Sequence, residues 1–220
     1  MHVVVNAAAS VDGKLSTRRR EQVKISGADD FARVDRVRAD SDAVLVGVGT
    51  VLADDPHLTL DDETYRDERR ADGRDPNPAR VVADSRARTP TDARIVDDAA
   101  TTYVLVSESA PEDRVAALER AGATVVVAGE TRVSFPEAFA ELERRGVERT
   151  MVEGGGEVIF SLFEDGLVDE LSLYVGSVVV GGRDAPTLAD GEGFVADFPT
   201  LDLRGVERVD DGVLLTYDVD

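Results

Sequence analysis

Short apolar runs recur along the chain, and segments whose apolar residues repeat with helical spacing separate them. Runs of roughly four to eight apolar residues that end in Gly, Ser or Asp are typical of buried strands in a parallel sheet. The runs are VVVNAAA, DAVLVGV, ARVVADS, TYVLVS, ATVVVAG, RTMVEGG, ELSLYVG and GVLLTYDV. Their alternation with helical segments predicts a doubly wound, mostly parallel α/β sheet. The last run alternates more than the others, which predicts an antiparallel edge.

Four segments between these runs have helical character. In GADDFARVDRVRADS, the side chains of Phe31, Val34 and Val37 share one helical face, which we expect to be buried. The segments PEDRVAALERAG, FPEAFAELERRG and GEVIFSLFEDG have the same plan. Residues 61–78 are charged and almost free of apolar side chains, which predicts a solvated excursion rather than a domain boundary. Residues 1–220 are therefore predicted to form a single domain.

The charge of the chain restricts its partners. The formal net charge is −20, the pI is about 4.4, and Lys14 and Lys24 are the only lysines. No basic surface could outweigh that field, so neither nucleic acid nor an anionic membrane is expected as a partner. Because salt at 1 M shortens the range of repulsion between carboxylates to about 3 Å, this composition also indicates a protein from a halophile.

The cysteine and histidine content limits the chemistry. The chain has no cysteine and only two histidines, His2 and His57, which excludes disulfides, thiolate catalysis and cysteine-bound zinc. We therefore expect no metal centre. The chain has no run of about 18 apolar residues and no charged-then-apolar leader. It is predicted to be a soluble, cytoplasmic protein.

Ligands of open α/β sheets bind beyond the carboxyl ends of the strands, so the residues that follow each run matter most. After the first run, small residues lead to the turn Asp12-Gly13 and to Lys14. Small side chains let a flat ligand lie against the backbone, and a lysine kept in a lysine-poor chain suggests a role that arginine cannot fill. A β-turn with a solvated lysine explains the same residues.

At a second strand end, glycines, a hydroxyl and two acids follow the run DAVLV. Gly49 permits close approach of a ligand to the backbone, and Thr50 and Asp54 would face the same ligand if the chain is helical there. Asp55 would then point away from Asp54, which disfavours a metal site at this acid pair. We expect Asp55 to shape the following turn.

Two further strand ends are rich in glycine. The glycines at 154–156 follow Glu153 and lead into a helix that begins near Glu157. Backbone N–H groups at such a helix N-terminus attract anions, although the spacing matches neither a dinucleotide fingerprint nor a P-loop, and a tight turn would also explain it. The glycines at 181–182 could close over a ligand or lie in a plain loop.

The chain lacks the residue sets that other reactions need. No Ser, His and acid set and no histidine pair is present, so hydrolysis by a triad or by zinc lacks its parts. A pocket of glycine backbone, hydroxyls, a few acids and one lysine suits a bound cofactor that supplies the reactive atom.

Five stretches of the chain resemble the reductase family of riboflavin biosynthesis, in order and in spacing. They are NAAASVDGKLST, VRADSDAVLVGVGTVLADDPHLTL, RVVADSRARTP, MVEGGGEVIFSLFEDGLVDELSLYVG and VGGRDAPTLADGEGF. The resemblance runs from about residue 3 to the final strand and is greatest to the stand-alone archaeal type. It implies a single reductase domain with a dihydrofolate-reductase-like fold, usually as a homodimer.

The resemblance also implies a reaction. NADPH, or else NADH, would transfer a hydride to C1′ of the ribose in 2,5-diamino-6-(ribosylamino)pyrimidin-4(3H)-one 5′-phosphate, which gives a ribitylamino product. By the same resemblance, the cofactor contacts fall on Ala9, Thr50, Asp54, Gly154, Gly155, Gly156, Glu157 and Ser161. The substrate contacts fall on Arg38, Leu58 and Glu153. Lys24 departs from the family pattern, since it stands where bacterial members often have an aromatic residue that touches both ligands, and we expect it to join Arg38 at the substrate phosphate. Arg38 suits a phosphate clamp, since a guanidinium binds phosphate with two hydrogen bonds.

The catalytic assignment follows from what the reaction needs. The ribosylamine ring has to open to an imine, so the protein contributes positioning and a proton source. Glu153 and Asp54 are predicted to position the reacting groups, and Lys14 is a candidate proton donor. Arg86 and Arg88 follow the run ARVVADS and either read the 2′-phosphate of NADPH or are solvated.

Three alternatives remain open from the sequence. The substrate could be the deaminated counterpart, 5-amino-6-ribosylamino uracil phosphate. The enzyme could be a dihydrofolate or pterin reductase, although the chain has no tryptophan. The glycine turns could also belong to a nucleotide-binding module without catalysis.

Overall fold

The structure, a computed structural model, describes residues 1–220. It contains nine strands, six helices and a 3-10 turn at Arg94–Val96. The strands are β1 (His2–Ser10), β2 (Ala43–Gly47), β3 (Ala79–Ala83), β4 (Thr102–Val106), β5 (Thr124–Val127), β6 (Arg149–Gly154), β7 (Glu170–Gly176), β8 (Leu201–Val209) and β9 (Gly212–Val219). The helices are α1 (Ala28–Asp40), α2 (Val48–Asp54), α3 (Glu63–Ala71), α4 (Glu112–Arg120), α5 (Phe135–Arg144) and α6 (Gly156–Glu164). None of the helices is long and apolar enough to cross a membrane.

The strands form one sheet in the order β5-β4-β3-β2-β6-β1-β7-β9-β8. The pairs β2/β3, β3/β4, β4/β5 and β1/β7 are parallel, whereas β7/β9 and β8/β9 are antiparallel. All eight predicted runs are strands, which confirms the mostly parallel α/β sheet with an antiparallel edge. The edge strand itself is β8 rather than the predicted β9. β8 was missed because charged residues interrupt its apolar ones.

The residues divide into two compact units. Unit 1 comprises Met1 and Asp35–Met151, and unit 2 comprises His2–Val34 and Val152–Asp220. In unit 1, β2 is buried along its whole length, and Val51 of α2 and Leu118 of α4 belong to the same core cluster as its valines. In unit 2, Tyr174 and Leu214 pack with Ile25 on one face of the antiparallel strands. The single reductase domain over residues 1–220 stays a prediction.

Helix α1 lies where the sequence placed it, but its buried face differs from the predicted one. Phe31 is 60% exposed, whereas Asp35 is buried. The two carboxylate oxygens of Asp35 accept hydrogen bonds from the backbone N–H groups of Asp61 and Asp62, each at 2.9 Å. Because both oxygens accept hydrogen bonds, the carboxylate of Asp35 can be buried. The prediction from the apolar pattern did not include it, because that pattern places only apolar residues in the core.

Residues 61–78 are not only a solvated excursion. They contain α3, and Arg69 of this helix is buried. Its guanidinium donates hydrogen bonds to the backbone carbonyls of Ala39, Ser41 and Asp75 at 2.8, 2.7 and 2.8 Å. Hydrogen bonds from a charged group, rather than apolar surface, fasten α3 to the rest of unit 1. Hydrophobic periodicity therefore could not predict it.

Candidate active site

The glycine-rich turn between β6 and α6 lies in unit 2. Gly154 and Gly155 have φ angles of 153° and 90°, which residues with a β-carbon rarely adopt. Gly155 is the N-cap of α6, and no side chain caps this helix. The first N–H groups of α6 therefore lack a side-chain acceptor and suit an anionic ligand. The helix starts at Gly156, which confirms the predicted start near Glu157.

The third glycine of the turn is required by packing. An added β-carbon on Gly156 would lie 2.5 Å from the backbone oxygen of Thr187 and 2.8 Å from a carboxylate oxygen of Asp190. The backbone N–H of Asp190 also donates to the Gly156 carbonyl at 3.0 Å. The segment after β7 thus lies directly against the start of α6.

The exit of β1 contacts the same segment. Ala9 is buried near the end of β1, and the Lys14 ammonium donates to the carbonyl of Ala185 at 3.3 Å. The Lys14 backbone forms a β-bridge with Thr187. Lys14 is half-buried and bound to a carbonyl, so the interpretation as a freely solvated turn lysine does not hold.

Asp12 does more than shape a turn. Its carboxylate accepts hydrogen bonds from the N–H groups of Val180 and Gly181 at 3.0 and 2.7 Å and from the Ser10 hydroxyl at 2.6 Å. These bonds, that of Ser10 first, lower the pKa of Asp12 to about 2. The segment with the glycines at 181–182 is therefore fastened to the exit of β1.

The second strand end lies in unit 1, and it is helical as the sequence suggested. Thr50 and Asp54 lie on α2, four residues apart and both half-buried, so they share one face of the helix. An added β-carbon on Gly49 would meet no atom within 4 Å, which leaves open space there. Asp55 adopts φ 42° and accepts the Arg94 N–H at 2.8 Å, which confirms that it shapes the turn.

The segment from Leu58 to Asp62 is held from several sides within unit 1. Leu58 has φ 51°, and its side chain belongs to the core cluster of this unit. A contact between Leu58 and a substrate would therefore involve its backbone. The Asn77 side chain accepts the Leu60 N–H at 3.0 Å, and the Arg38 guanidinium donates to the Thr59 carbonyl at 3.3 Å. Together with Asp35, these groups fix the segment next to Arg38.

The remaining predicted residues lie in unit 2. Lys24 is exposed, and Glu153 is half-buried near the end of β6. The Ser161 hydroxyl donates to the Glu157 carbonyl at 3.0 Å, so its proton is already used within α6. Glu157 itself is exposed in the first turn of this helix.

The predicted site residues thus fall into two groups. Unit 2 holds Ala9, Lys14, Lys24, Glu153, Gly154, Gly155, Gly156, Glu157 and Ser161. Unit 1 holds Arg38, Thr50, Asp54 and Leu58. In unit 2, hydrogen bonds and close packing connect the exit of β1, the segment after β7 and the glycine turn. No group of three or more His, Cys, Asp or Glu side chains is arranged to hold a metal ion.

The sequence analysis did not predict the structural roles of three acidic residues. Asp12 was seen only as part of a turn, and Asp35 and Asp190 gave no signal. All three use carboxylates to bind backbone N–H groups that are distant in the sequence or lie in a loop. The Asp190 side chain lies in the stretch VGGRDAPTLADGEGF, so only its family resemblance could have drawn attention to it.

The fold matches that of solved reductases. A crystal structure of a pyrimidine reductase-like protein from Corynebacterium diphtheriae superposes with a TM-score of 0.82 over 100% of this chain and 92% of that one, at 17% sequence identity. The structure is thus a dihydrofolate-reductase-like α/β fold of the kind found in pyrimidine reductases.

Sequence comparison narrows the class to a family. The model of the RibD C-terminal domain matches residues 1–215. A 2,5-diamino-6-ribosylamino-4(3H)-pyrimidinone 5′-phosphate reductase from Archaeoglobus fulgidus is 48% identical over 98% of this chain and 96% of its own length. A protein with the same name from Methanothermobacter thermautotrophicus is 43% identical over 99% of this chain and 98% of its own. The chain belongs to the RibD C-terminal domain family.

Proposed function

We propose that the protein reduces the ribosyl group of 2,5-diamino-6-(ribosylamino)pyrimidin-4(3H)-one 5′-phosphate with NADPH and forms the ribitylamino product. One observation carries the proposal. The glycine turn at the uncapped start of α6 occurs in a chain that is 48% identical, over 98% of its length, to an archaeal protein named as this reductase.

The residues of unit 2 fit a nicotinamide dinucleotide. The first N–H groups of α6 have no side-chain acceptor, and they suit the pyrophosphate. The positive φ of Gly155 and the small Ala9 permit close approach of a ligand to the backbone. When bound, the cofactor supplies the hydride. We assign Glu157 and Ser161 to the same lining through their backbone, because the Ser161 hydroxyl is engaged within α6.

The residues of unit 1 suit the substrate phosphate and the reacting groups. Arg38 presents a guanidinium beside the fixed segment that begins at Leu58, which supports a role as phosphate clamp. Thr50 and Asp54 share a face of α2 and could orient a polar group. We assign Lys24 to the substrate as well, because its exposed ammonium is free to meet an anion.

Ring opening moves one proton from the ribosylamine nitrogen to the ring oxygen and gives the imine. C1′ of the imine then accepts the hydride, and its nitrogen takes up one proton to become the amine, so a proton donor is needed at this point. Lys14 is a candidate donor, because its half-buried ammonium has three N–H groups and the Ala185 carbonyl accepts only one of them. Glu153 and Asp54 are assigned to position the reacting groups.

The first test is an assay of NADPH absorbance with the diamino substrate and, in parallel, with its deaminated counterpart. We expect oxidation with the diamino compound alone. Oxidation with the deaminated compound alone would reassign the substrate, and tight binding of NADPH without oxidation of either would favour the nucleotide-binding module. A third assay, with dihydrofolate as the substrate, tests the alternative of a dihydrofolate or pterin reductase, which would oxidise NADPH with this compound.

The same assay tests two finer proposals. We propose a salt-adapted protein, since the net charge is −20 and lysine is nearly absent. Activity should therefore be higher in molar KCl than at low salt. We also propose a preference for NADPH over NADH, supported by the exposed guanidinium groups of Arg86 and Arg88 beyond β3. A parallel series with NADH measures this preference.

We also propose that the protein is cytoplasmic. The only support for this location is the proposed reaction in riboflavin biosynthesis.

We further propose a homodimer that forms through one face of β7, β9 and β8. Residues paired across adjacent strands share a face of a sheet, and the pairing gives the rows Leu171, Tyr217, Leu203 and Leu173, Leu215, Val206. Every side chain in these rows is apolar or aromatic, and Val206 on the edge strand is 60% exposed. Two chains of charge −20 repel each other, so these two rows, which contain no charged side chain and lie beside Arg208 in the next row, are where a second copy can approach.

Val206→Glu is expected to convert the dimer into a monomer, because it places a charge in the apolar face. Sedimentation velocity in molar KCl measures the mass. The matched control is Val127→Glu, since Val127 is also a valine on an edge strand and is 57% exposed. A Val206→Glu protein with the dimer mass, or a monomeric wild type, would contradict the proposed interface.

A further inference from the structure

The segment after β7 connects two parts of unit 2 that the proposed function uses. On one side it meets the exit of β1, which carries Lys14, and on the other it meets the turn before α6. This segment, residues 178–190, has no helix or strand of its own. Its conformation therefore depends on the groups that bind it.

The exit of β1 binds the first half of the segment. The Val11 N–H donates to the Val178 carbonyl at 3.0 Å. Both oxygens of Asp12 are then used, since one accepts the N–H of Val180 and the other accepts the N–H of Gly181. Asp12 is thus the one side chain of this strand exit that holds two successive N–H groups of the segment.

The second half of the segment is held by backbone and by Asp190. The Leu15 N–H donates to the Pro186 carbonyl at 2.9 Å, beside the bridge between Lys14 and Thr187. The Asp190 carboxylate accepts the Thr187 N–H at 3.1 Å and also the Thr187 hydroxyl. These bonds fix Thr187, whose carbonyl lies against Gly156.

The far end of the segment sets the position of the glycine turn. The Asp190 N–H donates to the Gly156 carbonyl, and the space beside Gly156 is filled by Thr187 and Asp190. A shift of residues 180–187 would therefore be transmitted to the start of α6. The N–H groups at that helix start are those assigned above to the cofactor.

We propose that Asp12 is a positioning residue for the cofactor site, which acts by holding residues 178–190 against the turn at Gly156. The proposal rests on the proposed function, because it concerns the same cofactor site. Asp12 touches neither the cofactor turn nor α6 itself and acts only through the segment. Since its pKa is held near 2, the carboxylate stays charged and the contact persists throughout the neutral and mildly acidic range.

The test uses Asp12→Asn in the full chain. An amide has the same shape as a carboxylate, but its NH2 group cannot accept a hydrogen bond from the N–H of Val180 or Gly181. One of the two hydrogen bonds is therefore lost, and two N–H donors face each other in its place. We expect the KM for NADPH to rise roughly tenfold, while the KM for the pyrimidine phosphate changes by less than about twofold. The matched control is Asp184→Asn, because Asp184 lies exposed in the same segment, and its kinetics should equal those of the wild type.

Amide hydrogen exchange gives a readout that needs no turnover. In Asp12→Asn, the amides of Val180 and Gly181 should exchange faster, and so should the amide of Asp190, which Asp12 does not touch. Amides of α4 in unit 1 should keep their exchange rates. A loss of protection confined to Val180 and Gly181 would contradict transmission to the turn and overturn the proposal.

Two other results would overturn it. One is an Asp12→Asn enzyme with the cofactor KM of the wild type, and the other is an equal rise in both KM values with a lower Tm, which indicates general destabilisation. If wild type oxidises no NADPH with either substrate, the proposed function fails, and exchange at Asp190 together with NADPH affinity still decides the role of Asp12. If Asp12→Asn does not fold, Thr187→Val removes the hydroxyl bond to Asp190 farther along the network and should raise the cofactor KM in the same way.

Discussion

Arg80→Ala is expected to lower the free energy of unfolding by about 2–5 kcal/mol, because it removes a large buried side chain together with the hydrogen bonds that its guanidinium donates. Arg80 lies on β3 and is 0% exposed. Its guanidinium donates to the Asp97 carboxylate at 2.7 Å, the Thr102 hydroxyl at 3.0 Å and the Ala100 carbonyl at 2.7 Å. The substitution leaves the Thr102 hydroxyl oxygen and the Ala100 carbonyl without this donor and opens a cavity beside them, whereas the Asp97 carboxylate keeps the Ala99 N–H.

Urea unfolding in molar KCl measures the change. The control is Arg120→Ala on α4, because the exposed Arg120 side chain bonds only a carbonyl of its own helix and its loss should cost less than about 0.5 kcal/mol. An Arg80→Ala protein within about 1 kcal/mol of the wild type would show that water replaces the guanidinium in this part of unit 1.

Arg80 also illustrates why the strands of the sheet could be predicted from the sequence, whereas the hydrogen bonds that hold the ends of the strands could not. The run ARVVADS was assigned to a strand because its valines are consecutive, and β3 confirms it. The arginine within that run gave no sign of being buried. Its partners lie 14 to 22 residues away in the turn and in β4, so only the folded chain shows that they satisfy it.

The predictions failed for the buried face of α1 and for strand β8, and the reasons are related. Patterning counts apolar residues, so it placed Phe31 in the core and gave no weight to Asp35, whose carboxylate holds two backbone N–H groups there. It also passed over β8, whose exposed apolar residues are separated by charges. Both elements depend on partners outside the local sequence.

In the candidate site, too, local features could be predicted from the sequence, whereas features that depend on distant residues could not. The glycines of the turn and the helix after them were visible as a local pattern, and two of the three do have positive φ angles. The third, Gly156, is needed for a different reason that the sequence does not contain. Thr187 lies 31 residues farther along the chain, and it approaches Gly156 only because the exit of β1 and Asp190 hold it there.

Gly156→Ala is therefore expected to lower kcat/KM for NADPH by roughly a hundredfold, the loss associated with a misplacement of about 1 Å in a binding site. The new β-carbon would lie 2.5 Å from the Thr187 oxygen, so either the start of α6 or the segment after β7 has to move. Because that oxygen belongs to the backbone, no change of side-chain rotamer can relieve the contact. Initial rates at varied NADPH concentration measure the effect.

The control for Gly156→Ala separates misplacement from loss of stability. Gly146→Ala, after α5, puts a β-carbon in open space but at φ 87°, which should cost about 1–2 kcal/mol of stability. Gly146 lies in unit 1, outside the residues assigned to the cofactor, so its variant should unfold more easily and keep the KM for NADPH of the wild type. If Gly156→Ala also keeps that KM, then the start of α6 does not bind the cofactor, because overpacking at this position cannot leave its N–H groups in place.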